Sequence, residues 1–407
     1  MKVLIKAPFL FDALGNRAEE GANILVEDGI IIKIDRGADT PSYDAEVLDY
    51  TATPRVFVLP GLIDTHLHLA HGGYDAREKA DSDALVAHRM FHNGMRNLLT
   101  GVTTQRDCGA KNHIDVAYRE GLRLGLIDGP RTLICGQPIV ATGGHCTYMG
   151  RQVDGPVETM KAVREQLQQR VDFIKLMVTG GVSTPTGQPT TPQMTREEIE
   201  AAVAVAHNNE KMVAVHAEGG IGVNWALDAG IDTLEHGIYL TDEDIQQMVD
   251  QGTWLVPTLF AIHSIGTRGA EEPVPLSQFM IDKCAVAYET HAESFRKAYA
   301  AGVKIAGGTD YKHGCLVDEL ELMTTLGMKN DEAIRAVTQR AAEMLRLAGS
   351  IGTIEPGKIA DILIVSGNPL ENIADLRNVK AVIQNGKVVV EDGMLRPSTS
   401  YQHYPIQ

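Results

Sequence analysis

The sequence predicts an α/β protein, a (β/α)8 TIM barrel carrying a small β-sandwich domain built from both chain termini. Three observations predict it. Short apolar runs alternate with helix-like stretches through the middle of the chain. Segments rich in β-branched residues, broken by Asp-Gly and Asn-Gly, flank that middle on both sides. The 407 residues suit one barrel plus a small companion.

Residues 1–58 supply KVLIKAPFLFDA, NILVEDGIIIKIDRG and AEVLDYT, whose alternation and Asp-Gly step are hairpin chemistry. After Gly352 the same style returns in TIEPGKIADILIVSG and VKAVIQNGKVVVEDG. Residues 1–58 and 352–407 are therefore assigned to one split β domain, and 59–351 to the barrel. Eight candidate barrel strands centre on FVLPGLIDTHLH, VTTQRD, TLICGQPI, DFIKLMV, MVAVHA, DTLEHG, TWLVPTL and VKIAGGTD. Between them, VETMKAVREQLQQRV, TREEIEAAVAVAHNN and TDEDIQQMVDQG read as helices. Thr195 with Glu198, and Thr241 with Asp244, have the spacing of capped helix starts. A doubly wound open sheet is the alternative arrangement of the same units.

Composition narrows the partners. Hydrophobic residues at 44% and charged residues at 22% describe a globular chain rather than a disordered one. A net charge of −16 repels phosphate backbones, so nucleic acid is not expected as a partner. No apolar run reaches the roughly 18 residues of a membrane span, and the start has no signal-peptide form. A cytoplasmic location is the expectation. The five cysteines are scattered and form no CxxC pair, which argues against a disulfide framework and a cysteine zinc site. Cys146 and Cys315 adjoin functional segments but read as ordinary thiols.

The chemistry begins at Thr65-His66-Leu67-His68, at the end of the first candidate barrel strand. Strand side chains alternate faces, so His66 and His68 point the same way and make half of a metal site. Taken alone, HxH equally suits two unrelated surface histidines. Strand four, however, carries Lys175, strand five His216, strand six His236, and strand eight ends in Asp310. The C-terminal strand ends of such a barrel converge on one face, which brings all six groups into one pocket. Lys175 is the odd member, because an ammonium repels metal ions. Among cations and apolar neighbours its neutral amine is favoured, and a neutral amine adds carbon dioxide to become an anionic carbamate able to bridge two metals. An unmodified lysine paired to an acid beside a single metal fits the same residues.

PGLIDTHLH, the strand-four lysine, the two later histidines, GGTD and IEPGKIADILIV together resemble the amidohydrolase superfamily, in its binuclear subtype. The resemblance covers nearly the whole chain. It implies that His66, His68 and Asp310 hold one divalent metal and His216 and His236 a second, with carboxylated Lys175 and a hydroxide between them. Zinc is the metal the His-rich set favours. ATGGHCTYMG and DFIKLMVTGGV further resemble the imidazolonepropionase-related branch, which includes Xaa-Pro and Xaa-Arg dipeptidases. That likeness implies hydrolysis of an amide in a dipeptide or N-acyl amino acid, with Asp310 as base and then acid. It also makes His145 and Tyr239 candidate substrate contacts. Cyclic amides, carbamates, ureas and organophosphate esters are alternative substrates of the same site, and a metal-free scaffold is the non-enzyme alternative. Homo-oligomers are common among barrels of this kind.

Other residues are read more plainly. His71 belongs to a loop past the metal pair, Thr179–Ser183 to a tight turn, and Arg106 with Asp107 to an internal ion pair. His113, His207 and His291 read as surface residues. HSIGTRGAEEPVPLSQ is long for a loop between strands seven and eight, the kind that forms lids or carries specificity; Arg268 there is a candidate contact to a substrate carboxylate, with a solvated loop arginine as the plainer reading.

Overall fold

Alternating apolar residues near both termini produce strands that pair with one another. In the computed structural model, which describes residues 2–37, 43–53, 55–72, 80–184, 188–272, 276–310 and 312–396, the N-terminal part forms β1 (Lys2–Leu10), β2 (Glu19–Glu27), β3 (Ile30–Arg36), β4 (Glu46–Asp49) and β5 (Val56–Pro60). The barrel strands and their accessories are β6 (Leu62–Leu67), β7 (Val102–Asp107), β8 (Arg131–Ile134), β9 (Ile139–Ala141), β10 (Arg151–Val153), β11 (Phe173–Met177), β12 (Met212–Gly219), β13 (Thr233–Tyr239), β14 (Trp254–Val256) and β15 (Lys304–Ile305). The C-terminal part adds β16 (Ile362–Ser366), β17 (Val379–Gln384), β18 (Lys387–Glu391) and β19 (Met394–Leu395).

Both terminal parts join one nine-stranded sheet, because β5 pairs with β1 on one side and antiparallel β16 on the other. Hydrogen bonding thus links the strands of the expected sandwich into one continuous order. Long β1 serves two neighbours, its first half pairing β4 and its end pairing β5. Val3, Ile5, Ile24, Val58, Ile362, Ile364 and Ile383 bury together, so the sheet encloses a core of its own. The chain passes from this sheet to the barrel at Gly61, where a Cβ would collide with the Thr103 side chain.

Eight parallel strands make the barrel. Pairing runs β6–β7–β8 and β11–β12–β13–β14–β15. The ring returns to β6 through the Asp310 N–H on the His66 carbonyl (2.7 Å) and the Thr65 N–H on the Gly307 carbonyl (3.0 Å). The third predicted strand is shorter than expected. It ends at Ile134, turns at Gly136 (φ +71°), and resumes as β9, which pairs the far end of β11. Along β11, Ile174 and Leu176 pack outward into the main core, while Phe173, Lys175 and Met177 belong to other clusters or line the central cavity.

The helices are α1 (Asp83–Leu99), α2 (Ile114–Arg123), α3 (Pro156–Gln168), α4 (Arg196–His207), α5 (Ile221–Asp228), α6 (Asp242–Gln251), α7 (Leu259–Arg268), α8 (Gln278–Ala301), α9 (Leu316–Thr325), α10 (Asn330–Ala336) and α11 (Gln339–Met344). Thr195 and Thr241 form complete capping boxes with Glu198 and Asp244, as their spacing predicts. The expected lid is a correction: its first part is the end of α7, and the chain enters α8 at Gln278. The stretch 273–275 of that lid, the end of LAHGGYD and residues 397–407 of the β domain lie outside the described residues. No described helix is long and apolar enough to cross a membrane.

Candidate metal centre

Period-two alternation on β6 sends His66 and His68 to the same side, while Thr65 turns away to donate to the Gly307 carbonyl (2.8 Å). Nδ1 of His66 lies 2.6 Å from Glu235 Oε2, and Nδ1 of His68 lies 3.1 Å from the Gly109 carbonyl. Each ring is thereby oriented by an acceptor behind it, leaving Nε2 to the front. Those two Nε2 atoms approach Asp310 Oδ1 at 3.5 and 3.6 Å. From β12 and β13, His216 and His236 complete the ring of imidazoles, with centroids 4.6 Å apart and His236 5.1 Å from His66. His216 Nε2 faces the Gly180 carbonyl at 3.1 Å, so its Nδ1 is the atom left for a ligand. His236 Nδ1 lies 2.7 Å from Thr258 Oγ1. One ligand atom from each of His66, His236 and Asp310 falls within 4.8 Å of the others.

Lys175 lines the same cavity, 1% exposed, and its Nζ has no hydrogen-bond partner among the described residues. A buried amine in that position fits a bridging carbamate better than an ion-paired lysine, since no acid meets it. Burial holds His68 down at about 3, against the pull of Asp310. It also holds His216 and His236 well below the usual imidazole range. These neutral rings keep the lone pair that a metal needs. Burial pushes the Asp310 carboxyl up, but its hydrogen-bonding contact with His66, the largest of the opposing effects, helps to hold it well below the carboxylate range. His236 and Asp310 also adopt φ of +74° and +59°, uncommon for residues with a side chain. Such strain persists only where the surroundings enforce it, and it gathers at functional sites.

The enforcing groups were not all legible in the sequence. Asp64 Oδ1 accepts the N–H of His66 (3.2 Å) and of Thr309 (3.1 Å), tying the two sides of the ring closure together. Arg106 does not pair with Asp107. Its Nη2 donates to Glu235 Oε1 at 2.7 Å, its Nε to the Thr65 carbonyl, and Glu235 in turn orients His66. Glu235 is fully engaged by Arg106, Thr233 and His66, so its proximity to Cys108 and His66 is a support and not a second metal site. His291, expected at the surface, is 1% exposed, and its Nε2 lies 3.1 Å from the His236 carbonyl. His113 is half-buried against Gln166, and His207 remains largely exposed beside Asp232.

The proposed substrate contacts separate. His145 stacks on His216 at 4.3 Å, and its Nδ1 lies 2.7 Å from Thr184 Oγ1. Gly181 permits this packing, since a Cβ there would meet the His145 ring at 2.5 Å. Tyr239 ends β13 half-buried against the cluster of Val182, Ala261 and Ile262, and is absent from the cavity lining. Arg268 does not reach this cavity. It ends α7, exposed, on a different cleft with His263, Asp318 and Glu321. His71 does line the cavity, with Tyr148 Oη 3.0 Å from its Nε2. Glu218 was missed altogether. It lines the cavity two residues after His216, and strand alternation would have found it on the same face.

A profile of the Amidohydrolase family matches residues 57–389. The chain belongs to this family. Ochratoxinase of Aspergillus niger is 29% identical over 397 residues, covering 89% of this chain and 80% of that protein. Imidazolonepropionase of Porphyromonas gingivalis is 22% identical over 422 residues, covering 91% and 90%. The crystal structure of a Xaa-Pro dipeptidase with methionine bound in its active site is 32% identical, with a TM-score of 0.88, covering 95% of this chain and 99% of that one. These likenesses agree with the branch that the GGH and strand-four motifs point to, and with a TIM barrel plus β domain. Amidohydrolases generally use a divalent metal centre and hydrolyse carbon–nitrogen bonds; the ring of imidazoles around Asp310 is a candidate for such a centre.

Proposed function

We propose that the chain is a binuclear metal-dependent hydrolase that cleaves the amide bond of a small peptide-like molecule, a dipeptide or an N-acyl amino acid. The observation that carries this reading is the convergence of His66, His68, His216, His236 and Asp310 around the unpartnered Lys175 Nζ. His66, His68 and Asp310 would hold one metal and His216 and His236 the other, with Lys175 as its carbamate between them. When bound, two such ions supply Lewis-acid activation of water and of the scissile carbonyl. Zinc suits the imidazole-rich donor set.

The chain's own residues divide the remaining work. Asp310, its carboxyl held well below the usual range beside His66, takes the proton from the attacking water and passes it to the departing nitrogen, without which an amine leaves poorly. His145 lines the cavity from the loop after β9, and in this reading it donates to the carbonyl oxygen as negative charge develops there. Tyr239 stands one layer back and contributes through the packing of the wall. Met149, Met177, Val182 and Ile262 give that wall an apolar character that limits water. The dipeptidase and ochratoxinase relatives support amide cleavage as the reaction.

The test is a screen of zinc-loaded protein against dipeptides and N-acyl amino acids, read by release of free amine alongside elemental analysis. Release from a related group of substrates, with about two metals per chain, is expected. Full metal content with silence across the library would move the substrate to cyclic amides, carbamates or ureas. A chain that retains no metal would end the reading.

A further inference from the structure

Five buried side-chain atoms among the described residues lack a hydrogen-bond partner: Asp107 Oδ2, Tyr118 Oη, Lys175 Nζ, Glu218 Oε2 and His291 Nδ1. Only Lys175 and Glu218 line the cavity. The metal-bridging role accounts for Lys175. It leaves Glu218 unexplained.

Glu218 is 2% exposed and firmly held. Its backbone N–H donates to Thr179 Oγ1 (3.0 Å), its Oε1 accepts the Val182 N–H (3.0 Å), and Gly219 behind it packs directly on Tyr239. Oε1 lies 4.0 Å from His216 Nε2, so the carboxyl head stands beside the proposed metal ligands. Val182, Ile262, Met149 and Met177 share the cavity lining with it and offer no side-chain N–H or O–H, and the donors of His145 and Ser183 on the same lining leave Oε2 without a hydrogen bond. A buried carboxyl oxygen left without a donor is costly, and Glu218 is one of the residues that line the cavity.

We propose that Glu218 is a specificity determinant that accepts hydrogen bonds from a substrate amino group close to the scissile carbonyl. This rests on the amide-hydrolase reading and sharpens it. A dipeptide carries its free ammonium on the carbon next to that carbonyl, whereas a simple N-acyl amino acid carries no donor there. The favoured substrates are therefore dipeptides with an unblocked amino terminus. His66, His68, His216 and His236, turned toward the metals, are not acceptors for that group, and the Glu218 carboxyl supplies an acceptor oxygen.

The experiment uses matched pairs, alanyl-amino acids against propionyl-amino acids across the common second residues, which differ only by the amine. The zinc-loaded parent is expected to prefer the alanyl member by about 10- to 100-fold in kcat/KM, the value of a hydrogen bond to a charged group. In Glu218→Gln that ratio should collapse toward one, chiefly through KM for the dipeptide, with metal content and melting temperature unchanged. Equal turnover of both members by the parent would overturn the proposal and leave the amide hydrolase standing. Equal loss of kcat on both members in a fully metallated Glu218→Gln would overturn it in favour of a role in the chemistry. Hydrolysis of neither series would remove this inference together with the reading beneath it. The parent's own preference decides the matter even if the variant folds poorly.

Discussion

Helix α7 borders two depressions of opposite character. Ile262 faces the histidine cavity, while Phe260, His263, Ser264 and Arg268 border a cleft with Asp318 and Glu321. The cleft is larger, about 400 Å³ against about 50 Å³. In the cleft the acids are already paired, Glu321 and Asp318 with Arg377 at 2.6 and 3.1 Å, and Arg268 points to solvent. In the cavity the polar groups are buried, two atoms lack partners, and two backbones are strained. Size is thus a poor guide to the site. What separates the two is buried polar capacity that the protein itself does not satisfy, because only a bound ion or substrate can repay its desolvation.

The comparison breaks or sharpens through substitution. The largest effect is expected for Asp310→Asn, which should keep the fold and lower kcat by about 10²- to 10⁴-fold, the usual worth of a positioned acid–base group. An active, fully metallated Asp310→Asn would place the proton transfer elsewhere. Next, Lys175→Gln should lose one of the two metals, measured by elemental analysis of the purified chain; retention of both would show that no bridge from Lys175 is required. Glu235→Gln weakens the carboxylate behind His66 and leaves Arg106 buried with a poorer partner, so metal affinity should fall by about 10- to 100-fold in competition with a chelator.

A smaller effect comes from Glu319, which accepts the N–H groups of Leu259 (3.0 Å) and Phe260 (2.6 Å) at the start of α7, next to Thr258. Burial raises this carboxyl from 4.5 to about 8. The folded chain therefore keeps a proton that the unfolded chain releases. The associated stability is complete below 4.5 and is lost as pH rises through about 8. Glu319→Gln cannot ionise, so its melting temperature should trail the parent's at pH 5 and recover by about 2 °C relative to it at pH 9. A constant gap across that range would mean the group is ionised throughout. Smallest of all, Arg268→Ala should change stability by under about 0.5 kcal/mol and leave KM within about twofold. A rise of about tenfold in KM, confined to substrates bearing a carboxylate, would return Arg268 to the site.

Much of this molecule could be read before its fold was known. Capping boxes at Thr195 and Thr241 are set by residues three apart, and His66 and His68 share a face because the strand period is two. Strand-end placement of Lys175, His216, His236 and Asp310 follows from the same local periodicity. Where the reading failed, the missing information was not local. Arg106 meets Glu235, 129 residues away, because the register around the ring sets that pairing, and an adjacent Asp107 on an alternating strand points elsewhere. The segment taken for a lid is partly helix because its apolar face packs on α8, which its turn-like composition conceals.

The sequence by itself determined the order of strands and helices, the split β domain and the identity of the proposed metal ligands, since each depends on pattern and side-chain chemistry along short stretches. Tertiary structure alone decided which nitrogen of each imidazole faces the centre, that Glu235 and Thr258 stand behind His66 and His236, and that Glu218 is left with a buried oxygen lacking a partner. It also decided that Arg268 faces another cleft. Those outcomes depend on where separate strands and helices meet in space, and a buried hydrogen-bond partner is chosen by that meeting rather than by its neighbours in the chain.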